Sequence, residues 1–280
     1  MIIFKKFEDY TNYINRLINQ KQNIGFVPTM GALHEGHISL ITHCKKISDI
    51  TIASIFINPT QFNNKEDFNH YPVTLEQDIY LLETNGCDIL LLPDEKDVYP
   101  NGKDLLEKFD LGPLEFILEG KYRPGHFQGV CQVVKRFIEI IKPDQLILGQ
   151  KDLQQCMIIK KLITKVDPSI NVVIAPTIRE SDGLAMSSRN LRLSKEERTK
   201  AVAIFNALSL MKNNLQKGNI EDRKSEAKEI LIKSGFTLDY LEVATLNDLT
   251  IINDIEENIP AVALVAATVN NIRLIDNMPL

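Results

Sequence analysis

Short apolar runs alternate with amphipathic stretches along the first 175 residues of the chain. The apolar runs predict strands at 24–27, 51–57, 88–92, 145–148 and 172–174, and helical periodicity predicts helices at 36–46, 75–84, 127–141 and 153–166. Strands separated by helices are typical of parallel sheets, because each parallel connection needs a long crossover. The pattern therefore predicts an α/β fold in which a parallel sheet carries helices on both faces.

The pattern changes near Pro176. A polar loop leads into a long helical stretch at 195–216, whose start is marked by Ser194 and Glu197 at the spacing of a capping box. The segments that follow predict a charged helix at 221–233 and strands at 238–243, 261–268 and 272–275.

This change of pattern predicts two domains. We expect the parallel sheet within residues 1–175 and a smaller α+β C-terminal domain at 176–280. Residues 101–127 follow neither period, and we interpret them as a loop with a short helix.

The composition limits the partners of the protein. Its 280 residues are 44% hydrophobic, which is enough for a sizeable core. A formal net charge of −5 gives no electrostatic reason to expect nucleic acid or a membrane surface as the partner, so a small anionic substrate has to meet a local cluster of positive charge. Four cysteines without a CxxC pair indicate reduced thiols rather than disulfides or a zinc site: Cys44, Cys87, Cys131 and Cys156.

The N-terminal segment MIIFKKFEDY lacks the apolar stretch of a signal peptide. No apolar run approaches the ~18 residues of a membrane span. We therefore expect a soluble cytoplasmic protein that binds neither membrane nor nucleic acid.

The most informative motif is His34-Glu35-Gly36-His37, which follows a predicted strand and opens a predicted helix. If a helix begins near Gly36, both imidazoles lie on its first turn, where free N–H groups and the helix dipole favour phosphate. Glycine leaves no side chain between the rings, and the histidines can donate hydrogen bonds to phosphate oxygens as charge develops in a transition state. The alternatives are a metal pair or two surface histidines, but no third ligand lies nearby in the sequence. We therefore predict chemistry at a phosphate.

Two further segments carry groups suited to a nucleotide. In ILGQKDLQQ, at 147–155, Gly149 allows close approach, Lys151 supplies a point charge for phosphate, and Asp152 can accept from ribose hydroxyls or cap the helix. In GLAMSSRN, at 183–190, two hydroxyls and a guanidinium on a polar loop suit a triphosphate clamp. Each has an ordinary structural explanation when taken alone.

Two other segments lie where predicted strands end or loops begin. In INPTQF, at 57–62, Gln61 offers one acceptor and two donors for a hydroxyl and a carboxylate. In YRPGHFQGV, at 122–130, Arg123 and His126 flank a Pro-Gly turn, and the sequence leaves open whether they are loop or lid residues. Together the segments repeat one theme, with glycine, hydroxyl and basic groups at the ends of strands.

The chain resembles the pantothenate synthetase (pantoate–β-alanine ligase) family of the HxGH-containing nucleotidyltransferases. The motifs that carry this resemblance span nearly the whole chain: PTMGALHEGH at 28–37, FINPTQF at 56–62, PGHFQGV at 124–130, LGQKDLQQ at 148–155, RESDGLAMSSRN at 179–190, DYLEV at 239–243 and RLIDN at 273–277. The resemblance implies an ATP-dependent ligase in which the carboxylate of (R)-pantoate attacks ATP to give pantoyl adenylate and pyrophosphate, and the amine of β-alanine then displaces AMP. It also implies a Rossmann-like domain with a C-terminal lid, a homodimer, and magnesium accompanying ATP.

The resemblance also implies roles for individual residues. His37 takes the proton-donor position, with His34 and Lys151 as the other catalytic residues, and Gln61 and Gln155 bind pantoate, Gln61 also lying near β-alanine. The residues implied for ATP are Met30, Gly31, Ala32, Leu33, His34, Glu35, Gly36, His37, Gly149, Gln150, Lys151, Asp152, Ile178, Met186, Ser187, Ser188 and Arg189.

The chain departs from the family at Gln150, where the family usually has glutamate. The magnesium ligands are not identified by the resemblance, and Asp78 is one candidate. The glutamines have a physical rationale, because a neutral amide orients a carboxylate nucleophile without stabilising its charge in the ground state.

Two other functions remain open from the sequence. A nucleotidylyltransferase shares the HxGH turn and the sheet but keeps the nucleotide in its product. A nucleotide-binding protein without activity keeps only the fold, although the intact histidines, Lys151 and the SSR triplet argue against it. An aminoacyl-tRNA synthetase is disfavoured by length and by the acidic balance.

Overall fold

The computed structural model describes residues 1–17, 22–103 and 106–280. Among these residues, six parallel strands form one sheet in the order β1-β4-β3-β2-β5-β6. The strands are β1 (Ile2–Phe4), β2 (Ile24–Thr29), β3 (Ile50–Ile55), β4 (Ile89–Leu91), β5 (Gln145–Gly149) and β6 (Asn171–Ala175). The predicted α/β fold is confirmed.

The helices of the described chain connect and cover these strands. They are α1 (Phe7–Leu17), α2 (Glu35–Ile47), α3 (Lys65–Asn69), α4 (Leu75–Thr84), α5 (Glu95–Val98), α6 (Leu118–Tyr122), α7 (His126–Ile141), α8 (Leu153–Val166), α9 (Lys195–Asn214) and α10 (Ile220–Lys233). Within the described ranges, none of these helices combines the length and apolar character that a bilayer crossing requires.

Successive residues of each central strand are buried on opposite faces of the sheet. Phe26 of β2 packs with Phe137 of α7 on one face, whereas Val27 packs with Ile41 and Cys44 of α2 on the other. Burial on both faces explains why the strands appear as continuous apolar runs in the sequence rather than alternating ones.

Residues 237–279 form a second sheet, antiparallel and three-stranded in the described structure. Its strands are β7 (Thr237–Thr245), β8 (Ala261–Val269) and β9 (Ile272–Pro279). Helices α9 and α10 pack on it around a separate apolar core that includes Ile204, Leu208 and Val265. Helix α9 begins with the predicted capping box, because Ser194 and Glu197 bond each other's main chain.

Several segments differ from the prediction. Helices α1, α3 and α5 were not predicted, and strands β7 and β9 extend beyond the predicted 238–243 and 272–275. Strand β1 was not predicted, because it is a three-residue edge strand whose first two side chains are exposed. The strand predicted at 51–57 ends at Ile55, since residues 56 and 57 lead into the loop that carries Gln61. In the segment 101–127, a 3₁₀ turn at Gly112–Glu115 precedes α6, while residues 104 and 105 lie outside the described structure.

The strand order reverses beside β2, which has β3 on one side and β5 on the other. Open α/β sheets bind ligands at the carboxyl ends of strands at such a switch point, because the loops after the two strands diverge there. The loop after β2 carries the HxGH motif, and the loop after β5 carries Lys151. The fold thus brings together segments that are over a hundred residues apart.

Candidate active site

A cavity of about 210 Å³ lies at the carboxyl ends of the central strands, between the large sheet and the segment 176–189. Most of the residues singled out in the sequence line it. They are Met30, His34, Gly36, His37, Gln61, Gly149, Lys151, Asp152, Gln155, Ile178, Met186, Ser187, Ser188 and Arg189.

The other residues of the predicted set do not line this cavity. Gly31, Ala32 and Leu33 form the buried turn that leads to His34. Glu35 is exposed at the start of α2. Gln150 points away, and its side-chain amide donates to Asn277 Oδ1 of β9 at 3.3 Å.

His34 and His37 form the N-terminal cap of α2, which begins close to the helix start predicted near Gly36. Helix α2 begins at Glu35, and Nδ1 of His34 accepts a hydrogen bond from the Gly36 N–H at 3.1 Å. Nδ1 of His37 accepts in turn from the His34 N–H at 3.3 Å. A ring nitrogen that accepts carries no proton, so the neutral form of each ring carries its proton on Nε2. The ring centroids are 4.1 Å apart.

Both imidazoles are held in the neutral form. Burial, followed by the nearby Lys151 ammonium, lowers the pKa of His34 to about 4. Burial lowers the pKa of His37 well below its usual value, and His34 and Lys151 lower it further. The two rings therefore offer neutral Nε2–H donors at pH 7, while positive charge in the cavity comes from lysine and arginine.

Gly36 is required by the way the His34 ring folds back over the helix start. A Cβ at this position would lie 2.8 Å from Cε1 and 2.9 Å from Nδ1 of His34. The next contact would be Met186 Cβ at 3.6 Å, so the segment 186–189 covers this turn from the other side. The glycine thus permits the ring position as well as close approach of a ligand.

Asp78 fixes the turn that precedes the histidines. Its Oδ2 accepts from the Ala32 N–H at 2.9 Å, and its Oδ1 accepts from the Leu33 N–H at 2.8 Å and from Thr74 Oγ1 at 2.9 Å. The turn needs this support because both Gly31 (φ +86°) and Ala32 (φ +49°) have left-handed backbone conformations. Asp78 is 1% exposed, does not line the cavity and spends its carboxylate on these three hydrogen bonds, so this structure gives no support to Asp78 as a magnesium ligand.

The loop after β5 contributes Lys151 and Asp152 to the charged groups of the site. Residues Gln150–Asp152 form a 3₁₀ turn, and Lys151 Nζ lies 3.5 Å from Asp152 Oδ1. Asp152 occupies the N-cap position of α8, but within the described chain its side chain makes no capping hydrogen bond. Asp152 lines the cavity, and its contact with a ribose stays a prediction.

Two adjacent glutamines at the start of α8 differ completely in environment. The Gln154 amide is buried, and all of its hydrogen bonds are made within the protein. Its oxygen accepts from the Glu119 N–H at 2.9 Å, and its nitrogen donates to Leu114 O at 2.8 Å and to Ile117 O at 2.9 Å. Gln155 lies on the cavity side. Within the described residues, neither the Gln155 amide nor that of Gln61 has a protein partner, so both are available to a ligand.

The wall beside Gln61 contains residues whose role the sequence left open. Nδ1 of His126 and Nη2 of Arg123 contact the Gln61 carbonyl oxygen at 2.8 Å and 3.3 Å. Burial and the adjacent Arg123 lower the pKa of His126 to about 3, so this ring is neutral and donates from Nδ1. The sequence analysis did not single out Asn58. Its Oδ1 accepts a hydrogen bond from the Tyr99 hydroxyl at 2.7 Å, and its side chain caps the 3₁₀ turn that carries Gln61.

The SSR triplet lies against the HxGH turn. Ser188 Oγ donates to Ala32 O at 3.0 Å, and Ser187 caps the short turn that follows it. Arg189 Nη2 donates to Asp67 Oδ2 at 2.7 Å, and Arg192 Nη1 donates to the other oxygen at 2.8 Å. Asp67 was missed by sequence reasoning, because no local pattern marks a partner 122 residues away.

Segment 176–178 crosses from β6 to this triplet. Ile178 is partly exposed at the cavity, and its carbonyl accepts from the Met186 N–H at 3.0 Å. Among the described residues there is no group of three or more histidines, cysteines or carboxylates that could hold a metal ion.

Comparison with known proteins agrees with this arrangement. The sequence profile of the pantoate-beta-alanine ligase family matches residues 2–279. The chain is 43% identical over 282 residues to the pantothenate synthetase of Flavobacterium psychrophilum, with 100% of both chains covered. It is 42% identical over 262 residues to that of Cytophaga hutchinsonii, with 92% of both covered.

Solved structures give the same result. Pantothenate synthetase from Thermus thermophilus superposes with a TM-score of 0.90 at 34% identity, over 99% of each chain. A pantoate-beta-alanine ligase from Francisella tularensis, complexed with beta-gamma ATP and beta-alanine, superposes with a TM-score of 0.84 at 38% identity, over 100% of this chain and 97% of that one. The resemblance carried by the motifs is confirmed, and the chain belongs to the pantoate-beta-alanine ligase family.

Proposed function

We propose that the protein condenses (R)-pantoate with β-alanine to pantothenate, using ATP and releasing AMP and pyrophosphate. Family membership supports the reaction, as do relatives of similar length that are named pantothenate synthetase. The observation that carries the proposal is that one cavity combines two kinds of group. Neutral histidine donors and a lysine line it together with two glutamine amides that have no protein partners among the described residues.

The histidines, the lysine and the serines are suited to ATP. His34, His37, Lys151 and Ser187 line the cavity, and their Nε2–H, ammonium and hydroxyl groups would bind the phosphates. Ser188, whose hydroxyl donates to Ala32 O, would hold this loop against the HxGH turn. Asp152 would accept from the ribose, and Ile178 would contact the adenine. Arg189 lines the cavity while its Nη2 donates to Asp67, and its remaining N–H groups would bind the triphosphate.

Gln61 and Gln155 are suited to pantoate, and Gln61 would also lie near β-alanine. Two neutral amides can bind the hydroxyl and carboxylate of pantoate, and the Arg123 guanidinium beside Gln61 is paired with Glu119, which limits how far it stabilises the carboxylate in its ground state. The nucleophile thus keeps its reactivity while its approach to phosphorus is fixed.

The reaction then has two steps. A pantoate carboxylate oxygen bonds to the α-phosphorus of ATP, and the bond from that phosphorus to the pyrophosphate oxygen breaks. His37 and Lys151 would donate to the oxygens on which negative charge develops, so their effect is largest in the transition state. The β-alanine amine next attacks the acyl carbonyl, AMP leaves with the electrons of the acyl–oxygen bond, and the amine releases a proton.

Magnesium would enter with ATP as part of the substrate. Mg²⁺ with nucleotides is commonly held by phosphate oxygens, waters and one or two carboxylates. Asp78 is committed to the turn at Ala32 and Leu33, and Asp67 to two arginines. The described residues therefore do not fit a preformed metal site, and no step depends on a protein-held ion.

We also propose the larger organisation of the enzyme. Residues 1–175 would bind ATP and pantoate, and residues 176–280 would act as a lid whose SSR triplet closes over the phosphates. The separate apolar cores of the two sheets support this division. A cytoplasmic homodimer is expected from the family.

Product identity tests the proposal. Purified protein with ATP should form AMP in amounts equal to pantothenate only when pantoate and β-alanine are both present. A stable nucleotidyl product would instead assign the protein to the nucleotidylyltransferases, and absence of any ATP turnover would leave a nucleotide-binding protein.

A further inference from the structure

Asn277, near the end of β9, bonds the turn that carries Lys151. Its side-chain amide nitrogen donates to Gln150 O at 2.9 Å and to Lys151 O at 2.9 Å. Its amide oxygen accepts from Gln150 Nε2 at 3.3 Å. Since carbonyl oxygens cannot donate, the two carbonyls fix which way the amide faces.

These contacts restrain the peptide planes on both sides of Lys151. The first carbonyl belongs to the peptide that precedes the lysine and the second to the peptide that follows it, so one side chain fixes the direction in which the Lys151 Cα–Cβ bond leaves the turn. The main chain here is a single 3₁₀ turn between β5 and α8, which alone restrains a residue less than a long helix does.

Asn277 is itself rigidly placed. Its N–H donates to Asp276 Oδ1 at 2.8 Å, and its carbonyl accepts from Arg179 Nη2 at 3.1 Å. Arg179 also binds both carboxylate oxygens of Asp276, at 2.6 Å and 3.1 Å. Asp276 and Asn277 are 3% and 2% exposed, so this pair of side chains is locked by a buried ion pair.

Asn277 belongs to the three-stranded sheet and does not line the cavity of about 210 Å³. It borders a much smaller space of about 20 Å³ beside Lys151, Asp152 and Gln155. Its side-chain hydrogen bonds go to the turn at Gln150 and Lys151, so we expect its effect on a bound phosphate to pass through that turn.

We propose that Asn277 is a positioning residue that aims the Lys151 ammonium at the phosphates of ATP. The role of Lys151 as a ligand of ATP phosphates rests on the function proposed above. It also makes the placement of Lys151 depend on contact between the C-terminal sheet and the parallel sheet. Separation of the two would release the turn and misplace the lysine.

A double-mutant cycle with Asn277→Ala and Lys151→Ala tests this inference. The readouts are the affinity for a non-hydrolysable ATP analogue and kcat/KM for ATP. We expect Asn277→Ala to lower both by about tenfold in the otherwise unchanged protein, and by less than about twofold in the Lys151→Ala background. KM for β-alanine should change less than KM for ATP, because Lys151 is assigned to the phosphates.

Equal losses in the two backgrounds would overturn the proposal, since a general structural effect does not depend on the lysine ammonium. Asn277→Ser, which leaves a short polar side chain, gives a second cycle should the alanine variant fail to fold. Asn253→Ala, at an exposed position far from the site, is the matched control and should leave both readouts unchanged.

The outcomes for this residue and for the proposed function are separable. Affinity for the ATP analogue does not depend on which product is made. A protein that shows the predicted non-additivity but makes no pantothenate supports the role of Asn277 and overturns the proposed function.

Discussion

The main-chain N–H of His34 donates to the ring of His37, and this bond determines where the His37 ring carries its proton. With Nδ1 occupied as an acceptor, the neutral His37 ring must present Nε2–H to the cavity. The reciprocal bond from Gly36 N–H to His34 gives that ring the same tautomer. The backbone of one helix start thus fixes two neutral donors at the place where a phosphate is expected.

Replacement of His37 should therefore remove a donor used mainly in the transition state. We expect His37→Ala to keep the fold and to lower turnover by roughly a hundredfold or more. Single-turnover measurement of pantoyl adenylate gives the rate of the first step. Thr42→Ala, an exposed change in the same helix, is the control. Near-normal adenylate formation in His37→Ala would remove the histidine from the mechanism.

The depressed histidine pKa values predict how stability depends on pH. A histidine whose pKa in the folded protein is about 4 or about 3, for His34 and His126, binds its proton more readily when unfolded. Stability is then fully present above pH ~6.5 and falls as the pH drops toward ~4, by up to about 1.4 kcal/mol per pH unit for each such group.

Denaturant unfolding between about pH 7 and pH ~4.5 measures this slope. His126→Asn, which keeps a side-chain donor near Gln61 O, should reduce it by removing one titrating group. An unchanged slope in this variant would show that His126 does not contribute to the dependence.

Asp78 is expected to act on ATP only through the turn that it holds. Asp78→Asn turns one acceptor into a donor that faces a main-chain N–H, either that of Ala32 or that of Leu33. A buried unmatched donor costs about 1–3 kcal/mol, so both the melting temperature and kcat/KM for ATP should fall. Thr74→Val removes only one of the three bonds and should have a smaller effect in the same direction. If Asp78→Asn changed only the magnesium requirement, the positional account would be wrong.

The contrast between Gln154 and Gln155 gives a matched pair of substitutions. Gln155→Ala should raise the KM for pantoate about tenfold or more, leave the KM for ATP nearly unchanged and keep the melting temperature, because only ligand bonds are lost. Gln154→Ala should lower the melting temperature instead, because Glu119 N–H, Leu114 O and Ile117 O lose their partners. The assignment fails if the two variants exchange these phenotypes.

The sequence predicted the elements and the motifs better than their partners. The HxGH turn could be predicted from the sequence because its residues are contiguous and the start of their helix has a recognisable pattern. The hydrogen-bond partners of Arg189 and of the turn at Ala32 could not be predicted. These partners, Asp67 and Asp78, belong to other elements that are distant in the chain.

Neighbouring residues of one type were also indistinguishable in the sequence. Gln154 and Gln155 differ only in the face of α8 on which they lie, which depends on the packing of residues 114–119. The loop or lid status of Arg123 and His126 likewise depends on contacts with Gln61 that form only in the folded chain.

Exchange of labelled pyrophosphate into ATP tests the central claim most directly. If adenylation of pantoate comes first, exchange requires pantoate and proceeds without β-alanine. Lys151→Ala should abolish most of it, and Lys151→Arg should restore only part, because a planar guanidinium differs in shape from an ammonium. Exchange that needs β-alanine, or that runs without pantoate, would contradict the two-step ligase mechanism.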